Sequence, residues 1–159
     1  MLKKINIMLV DDEEVFLESM KKRLEMRGFE VIPASNGETA LEAADAHDFD
    51  IALVDLKMPG MSGEEVLSEL KKKHPLLEVI ILTGHGSIES AVECTQEGAY
   101  KYLQKPYEFD KLIETLIEAY KSRLINKTMI EREKIEAGLK TAVTPLDILR
   151  RLREFDQEK

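Results

Sequence analysis

Apolar residues along this chain fall into two alternating spacings. Short continuous runs, Ile5-Asn6-Ile7-Met8-Leu9-Val10, Glu30-Val31-Ile32, Ile51-Ala52-Leu53-Val54, Val79-Ile80-Ile81-Leu82 and Tyr100 to Leu103, end roughly 20 to 28 positions apart. Runs with little polar alternation predict strands buried on both faces. The gaps between them carry helical spacing. Phe16, Met20 and Leu24 recur every four residues before Gly28, and Ala40, Leu41 and Ala44 follow Asn36-Gly37. Val66, Leu67 and Leu70 stop before Pro75, and Ser87 is placed to cap a helix that ends at Gly98. Five strand-helix alternations joined by short loops predict an α/β fold, an open, doubly wound parallel sheet with helices on both faces.

After the fifth run the spacing stays helical for longer than a small sheet requires. Phe109, Leu112, Ile113, Leu116, Ile117, Tyr120 and Leu124 form one stripe, which thins through Met129, Ile130, Ile135 and Leu139 around Ala137-Gly138. Lys127 and Glu131 interrupt a heptad reading, so the stripe suits either a coiled coil with a second copy or a helix folded back on its own domain. Thr144-Pro145-Leu146-Asp147 then reads as a new helix start: hydroxyl cap, proline at the first position, acid in the first turn. Ile148, Leu149, Leu152 and Phe155 give that short last helix an apolar face.

Composition narrows the class. A chain of 159 residues, 43% hydrophobic and 34% charged, has the size of one globular domain with an appendage. No apolar run approaches the ~20 residues of a membrane span, and the opening MLKKINIMLVDDEE turns acidic too soon for a signal peptide. Cys94 is alone, which leaves no disulfide framework and makes a reducing cytoplasm the expected setting. Residues 1–120 hold 13 Lys and Arg against 24 Asp and Glu, a net of −11, which argues against nucleic-acid binding by this body. Residues 121–159 carry a net of +3.

In open parallel sheets, sites form outside the carboxyl ends of the strands. Those ends here are Asp11-Asp12 after the first strand, Asp55 after the third, Thr83-Gly84 after the fourth and Lys105-Pro106 just past the fifth. Three carboxylates, a hydroxyl and an ammonium, up to 94 positions apart in the chain, therefore converge on one edge. Clustered carboxylates repel unless a cation sits among them. An oxygen-only donor set suits a hard ion, Mg2+ or in its place Mn2+, which keeps waters and accepts phosphoryl oxygens. A carboxylate can itself accept a phosphoryl group, a transfer that needs alignment and charge neutralisation. Each residue alone has a plainer reading: Asp11-Asp12, with Glu13 and Glu14, could simply favour a helix N-terminus. Their conjunction at the correct strand ends is what favours a site.

The motifs VDDEE, VDLKMPGMSG, LTGHG and YLQKP, in this order and at these spacings, resemble the receiver domain of two-component response regulators over about residues 1–122. The stretch TGHGSIESAVE is similar to receivers of nitrogen-regulation-type AAA+ activators. The resemblance implies a flavodoxin-like five-stranded fold, with residues 123–159 as a helical extension that serves as a dimerisation or linker segment. It implies that Asp55 is the phosphoacceptor. Asp12 and Asp55 would bind Mg2+ directly, Asp11 through water, and Lys57 through its backbone carbonyl. Thr83 and Lys105 would hold the phosphoryl group, and Tyr102 would be the switch aromatic. Lys57 and His85 fall where such domains tune the lifetime of the phosphorylated state. The expected partner is a sensor histidine kinase or a phosphotransfer protein, with a homodimer through the C-terminal helix as a further expectation. The 39 residues after position 120 are too few for a common helix-turn-helix output domain, which suggests a free-standing receiver or a fragment of a longer regulator.

Two rivals use the same acids. A Mg2+-dependent aspartyl-phosphate phosphohydrolase usually carries a second acid two residues after its nucleophile, and here that residue is Lys57. An inert receiver-like binding module would not need the intact acid, hydroxyl and lysine set. A flavin or dinucleotide role lacks a glycine-rich phosphate loop after the first strand. The chain is therefore expected to be a signalling domain and not an enzyme acting on other substrates.

Overall fold

The strands form where the apolar runs lie: β1 (Asn6–Val10), β2 (Glu30–Ala34), β3 (Ile51–Val54), β4 (Glu78–Thr83) and β5 (Lys101–Gln104). Helices α1 (Glu14–Met26), α2 (Gly37–Ala46), α3 (Gly63–Lys73) and α4 (Ile88–Gln96) connect them, followed by α5 (Phe109–Lys140) and α6 (Pro145–Gln157). This computed structural model describes residues 3–140 and 144–157. The sheet is wholly parallel in the order β2-β1-β3-β4-β5, the doubly wound arrangement expected from the sequence. Among the described residues, no helix is long and apolar enough to cross a membrane.

Strand alternation explains the two cores. Ile7 and Leu9 of β1 point to the face covered by Leu17, Met20 and Leu24 of α1 and by Leu112 and Leu116 of α5. Met8 and Val10 point to the other face, against Ala40 and Ala44 of α2, Val66, Leu67 and Leu70 of α3, and Cys94 of α4. Each fully buried side chain of Leu size stabilises by about 1.5–3 kcal/mol, so the central strands must be apolar on both sides. β2 is an edge strand with only Val31 and Ala34 buried, and there Pro33 costs no ladder partner.

The helix caps follow the sequence closely. Asn36 accepts from the Thr39 N–H at 2.8 Å, Ser62 from Glu65 at 3.3 Å and Ser87 from Ser90 at 3.1 Å. Two details differ from the expectation. Leu17 joins Met20 and Leu24 in the buried core, while Phe16 is only partly buried against it and lies under Lys105. Helix α5 passes Ala137-Gly138 and continues to Lys140, since one glycine weakens a helix without ending it. The Thr144 carbonyl accepts the Ile148 N–H at the start of α6, while the side chains of Asp147 and Phe155 lie outside the described residues.

A first compact unit spans Met1–Arg123, and a second spans Leu124–Lys159. In the second, Leu124, Ile125, Met129, Leu146 and Leu149 are exposed. At the amino-terminal edge of the sheet in the first unit, the Asp50 carboxylate accepts from the Asn6 N–H at 2.8 Å and from Arg123 Nε at 3.0 Å. Asp50 is buried, so Arg123→Ala leaves a charge short of a donor and is expected to cost about 2 kcal/mol in chemical denaturation.

Candidate functional site

The site is assembled by strand ends. β1 runs into Asp11 and Asp12, and β3 runs into Asp55, whose N–H donates to the Val10 carbonyl at 2.9 Å. This places carboxylate oxygens of Asp11, Asp12 and Asp55 within 4.8 Å of one another. Asp11 and Asp55 are buried and Asp12 is exposed. Asp11 joins two neighbours: its Oδ1 accepts from the Glu13 N–H at 2.9 Å, just ahead of α1, while its Oδ2 takes the Lys105 ammonium at 2.6 Å. Helix α1 itself starts after Glu13, which makes no side-chain cap bond. The Lys105–Pro106 peptide is cis.

Asp55 is poised differently. Among buried side-chain oxygens and nitrogens of the described residues, its Oδ1 has no hydrogen-bond partner. Burial pushes its carboxyl above the usual carboxylate range, and the neighbouring Asp11 charge adds to this. The Thr83 hydroxyl, the Lys105 ammonium and the Leu56 N–H draw it back down. Three carboxylates without histidine or cysteine, one with an unsatisfied buried oxygen, fit a hard divalent cation.

The other expected residues divide into two groups. Thr83 is fully buried at the end of β4, and its Oγ1 accepts from the His85 N–H at 3.1 Å. Tyr102 is half-buried and faces the start of α4: its hydroxyl lies 2.7 Å from Ser90 Oγ and 3.3 Å from the Ser87 N–H. Lys57 and His85 sit exposed on the loops after β3 and β4. Two further contributors are not among the residues expected from sequence. Ser90 belongs to the α4 capping box and also holds Tyr102. Gly63 packs its backbone on the segment just after β3, donating to the Leu56 carbonyl at 2.8 Å. A serine three residues after a cap residue is a legible signal for the first, and the glycine that closes VDLKMPGMSG is one for the second, although the sequence shows only a loop former and not its backbone contact.

The family model of the response regulator receiver domain matches residues 7–117. The chain belongs to this family. The DNA-binding transcriptional regulator NtrC of Escherichia coli K12 is 35% identical over 120 residues, which cover 74% of this chain and 26% of NtrC. The curated relatives it matches are longer; the chain spans about a quarter to a third of their length. A CheY-like receiver domain protein from Methanospirillum hungatei has a similar structure, with a TM-score of 0.76 and 32% identity, covering 78% of this chain and 99% of that one. TrrA from Thermotoga maritima, solved in complex with Mg2+ and BeF, matches with a TM-score of 0.67 and 34% identity, covering 72% and 98% of the two chains. Receivers bind Mg2+ in an acidic pocket and are phosphorylated by histidine kinases or phosphotransfer proteins. The receiver fold and the NtrC-like character expected from TGHGSIESAVE are thus both borne out.

Proposed function

We propose that this receiver is a phosphorylation switch in which Asp55 accepts the phosphoryl group of a sensor histidine kinase or phosphotransfer protein. The carrying observation is the buried Asp55 oxygen without a partner, grouped with Asp11 and Asp12 and close enough to Lys105 and Thr83 to feel both. One oxygen of Asp55 attacks phosphorus while the P–N bond of a phosphohistidine breaks and its electron pair leaves with the imidazole. Lys105 and the Thr83 hydroxyl meet the charge on the transferred oxygens. Asp11, Asp12, Asp55 and the Lys57 carbonyl would hold Mg2+, or Mn2+ in its place, with Asp11 contributing through water. Such an ion would supply charge neutralisation.

Output follows from the hydroxyls. A phosphoryl group that accepts from the Thr83 hydroxyl draws Oγ1 towards Asp55, and with it the His85 N–H that donates to Oγ1; the loop carrying His85 leads into the α4 cap that Tyr102 shares. Thr83 and Tyr102 are therefore the switch pair, and the exposed Ile88 and Val92 of α4 lie on the face that would change. Lys57 and His85, exposed beside the site, tune phosphoryl lifetime through water access. On this reading residues 1–122 are the receiver and 123–159 a helical extension that pairs with a second copy through its exposed apolar residues. The protein acts in the cytoplasm, and its chemistry is limited to its own phosphorylation and dephosphorylation. A buried Cys94, its thiol pushed up to about 11 by burial and by Glu64, Glu93 and Glu97, suits that compartment as an inert thiol.

Acetyl phosphate with Mg2+ tests the proposal. The expected product is a single labile adduct of about +80 Da by intact mass, lost when the metal is chelated. Sustained turnover of varied phosphate esters would favour the phosphohydrolase instead, and absence of label would leave an inert module.

A further inference from the structure

The Lys105 ammonium has two close neighbours of different chemistry. Asp11 Oδ2 lies 2.6 Å away, and the ring centroid of Phe16 lies 3.8 Å away, with the ammonium over its face. An ammonium within about 6 Å of a ring centroid is held by the ring quadrupole. Phe16 sits in the first turn of α1, on the segment that follows Asp11 and Asp12 directly. It is partly buried at the edge of the core, beside the fully covered Leu17. Lysine has four flexible bonds and binds as a point charge with no geometry of its own. Lys105 also borders a cavity of about 410 Å³, lined with Phe16, Met20, Leu82, Pro106 and Tyr107, so its ammonium has room to turn elsewhere.

We infer that Phe16 is a positioning residue for phosphoryl transfer: its ring face confines the Lys105 ammonium beside Asp11, ready to meet the incoming phosphoryl oxygens. The inference rests on Asp55 being the phosphoacceptor. A carboxylate alone would bind the ammonium from one side and compete for it once phosphate arrives. The ring attracts the charge without becoming a ligand, so it restricts the lysine in both states and lowers the orientation cost of the transfer. Simple packing is the alternative role, since Phe16 also touches the core cluster.

Phe16→Leu keeps apolar bulk and removes the ring face, whereas Phe16→Tyr keeps both. In the wild type and Phe16→Tyr, the Lys105 ε-methylene protons should show an upfield ring-current shift by NMR, which Phe16→Leu abolishes. Initial labelling by acetyl phosphate should fall about five-fold in Phe16→Leu and return in Phe16→Tyr. In a Lys105→Met background the same Leu substitution should change the rate less than two-fold. If Phe16→Leu misfolds in thermal melts, Phe16→Met replaces it under the same readouts. Wild-type labelling rates in the Leu or Met variant, or an equal fall with Lys105→Met already present, would overturn the positioning role alone. A wild-type protein that takes no label overturns the phosphoacceptor reading together with this one.

Discussion

Asp55→Asn abolishes acetyl phosphate labelling and at the same time makes the protein more stable at neutral pH. The amide cannot act as the nucleophile, so the labelled fraction should drop by at least about 100-fold, with any residue traceable to another acid by peptide mapping. The stability gain has a separate cause. Burial and Asp11 hold the Asp55 carboxyl above its unfolded value, so the folded state binds the proton more tightly than the unfolded chain does. Between those two values the wild-type fold loses stability as pH rises, and at neutral pH the whole cost of the ionised carboxylate is present. Asn removes that cost. The gain should be on the order of 1 kcal/mol in chelator, the size of a like-charge contact in a partly aqueous site. It should shrink as pH falls through the raised carboxyl range, and also when Mg2+ is added. A variant that is labelled normally, or that is less stable than wild type at neutral pH, would contradict the assignment of Asp55.

Gly63→Ala should unfold more of this protein than any single exposed substitution. A Cβ there would drive into the Asp55 carbonyl oxygen and stand 2.9 Å from the Asp55 carbonyl carbon, with the Leu56 backbone also inside contact distance. These are backbone atoms of the segment leaving β3, so no side-chain rotation relieves the overlap. The first turn of α3 must lift from that segment, weakening the Gly63 N–H to Leu56 carbonyl bond, and Asp55 shifts with it. The expected cost is about 3 kcal/mol or more, roughly 10 °C in melting temperature, with slower labelling as well. Gly60 supplies the control. It has φ 78°, and a Cβ added there would meet nothing within 4 Å, so Gly60→Ala should cost only about 1 kcal/mol. Equal losses for the two variants would remove the backbone-contact explanation.

Much of this molecule is legible because its signals are local. A strand buried on both faces must be written as a continuous apolar run, as Ile51-Ala52-Leu53-Val54 is. A helix start needs a cap such as Ser87, and the parallel winding then delivers every strand's carboxyl end to one edge. Asp11, Asp12, Asp55, Thr83 and Lys105 are therefore identifiable from the order of residues alone. Phe16 is legible only in part: helical spacing marks it as a stripe residue, and it does pack against that core, but spacing carries no information about the lysine that stands over its ring.

The sequence alone determined the order of strands and helices, the covered faces and the acids at the strand tips, since periodicity and caps act within a few residues. The tertiary structure alone decided the pairings: Lys105 on Asp11 across 94 positions, Arg123 on Asp50 across 73, and Phe16 beneath the same lysine. It likewise decided that Tyr102 rests on Ser90 and that α3 lies hard against the segment just after β3. Such contacts depend on how far the sheet twists and how deeply each helix sinks, which many distant side chains fix together.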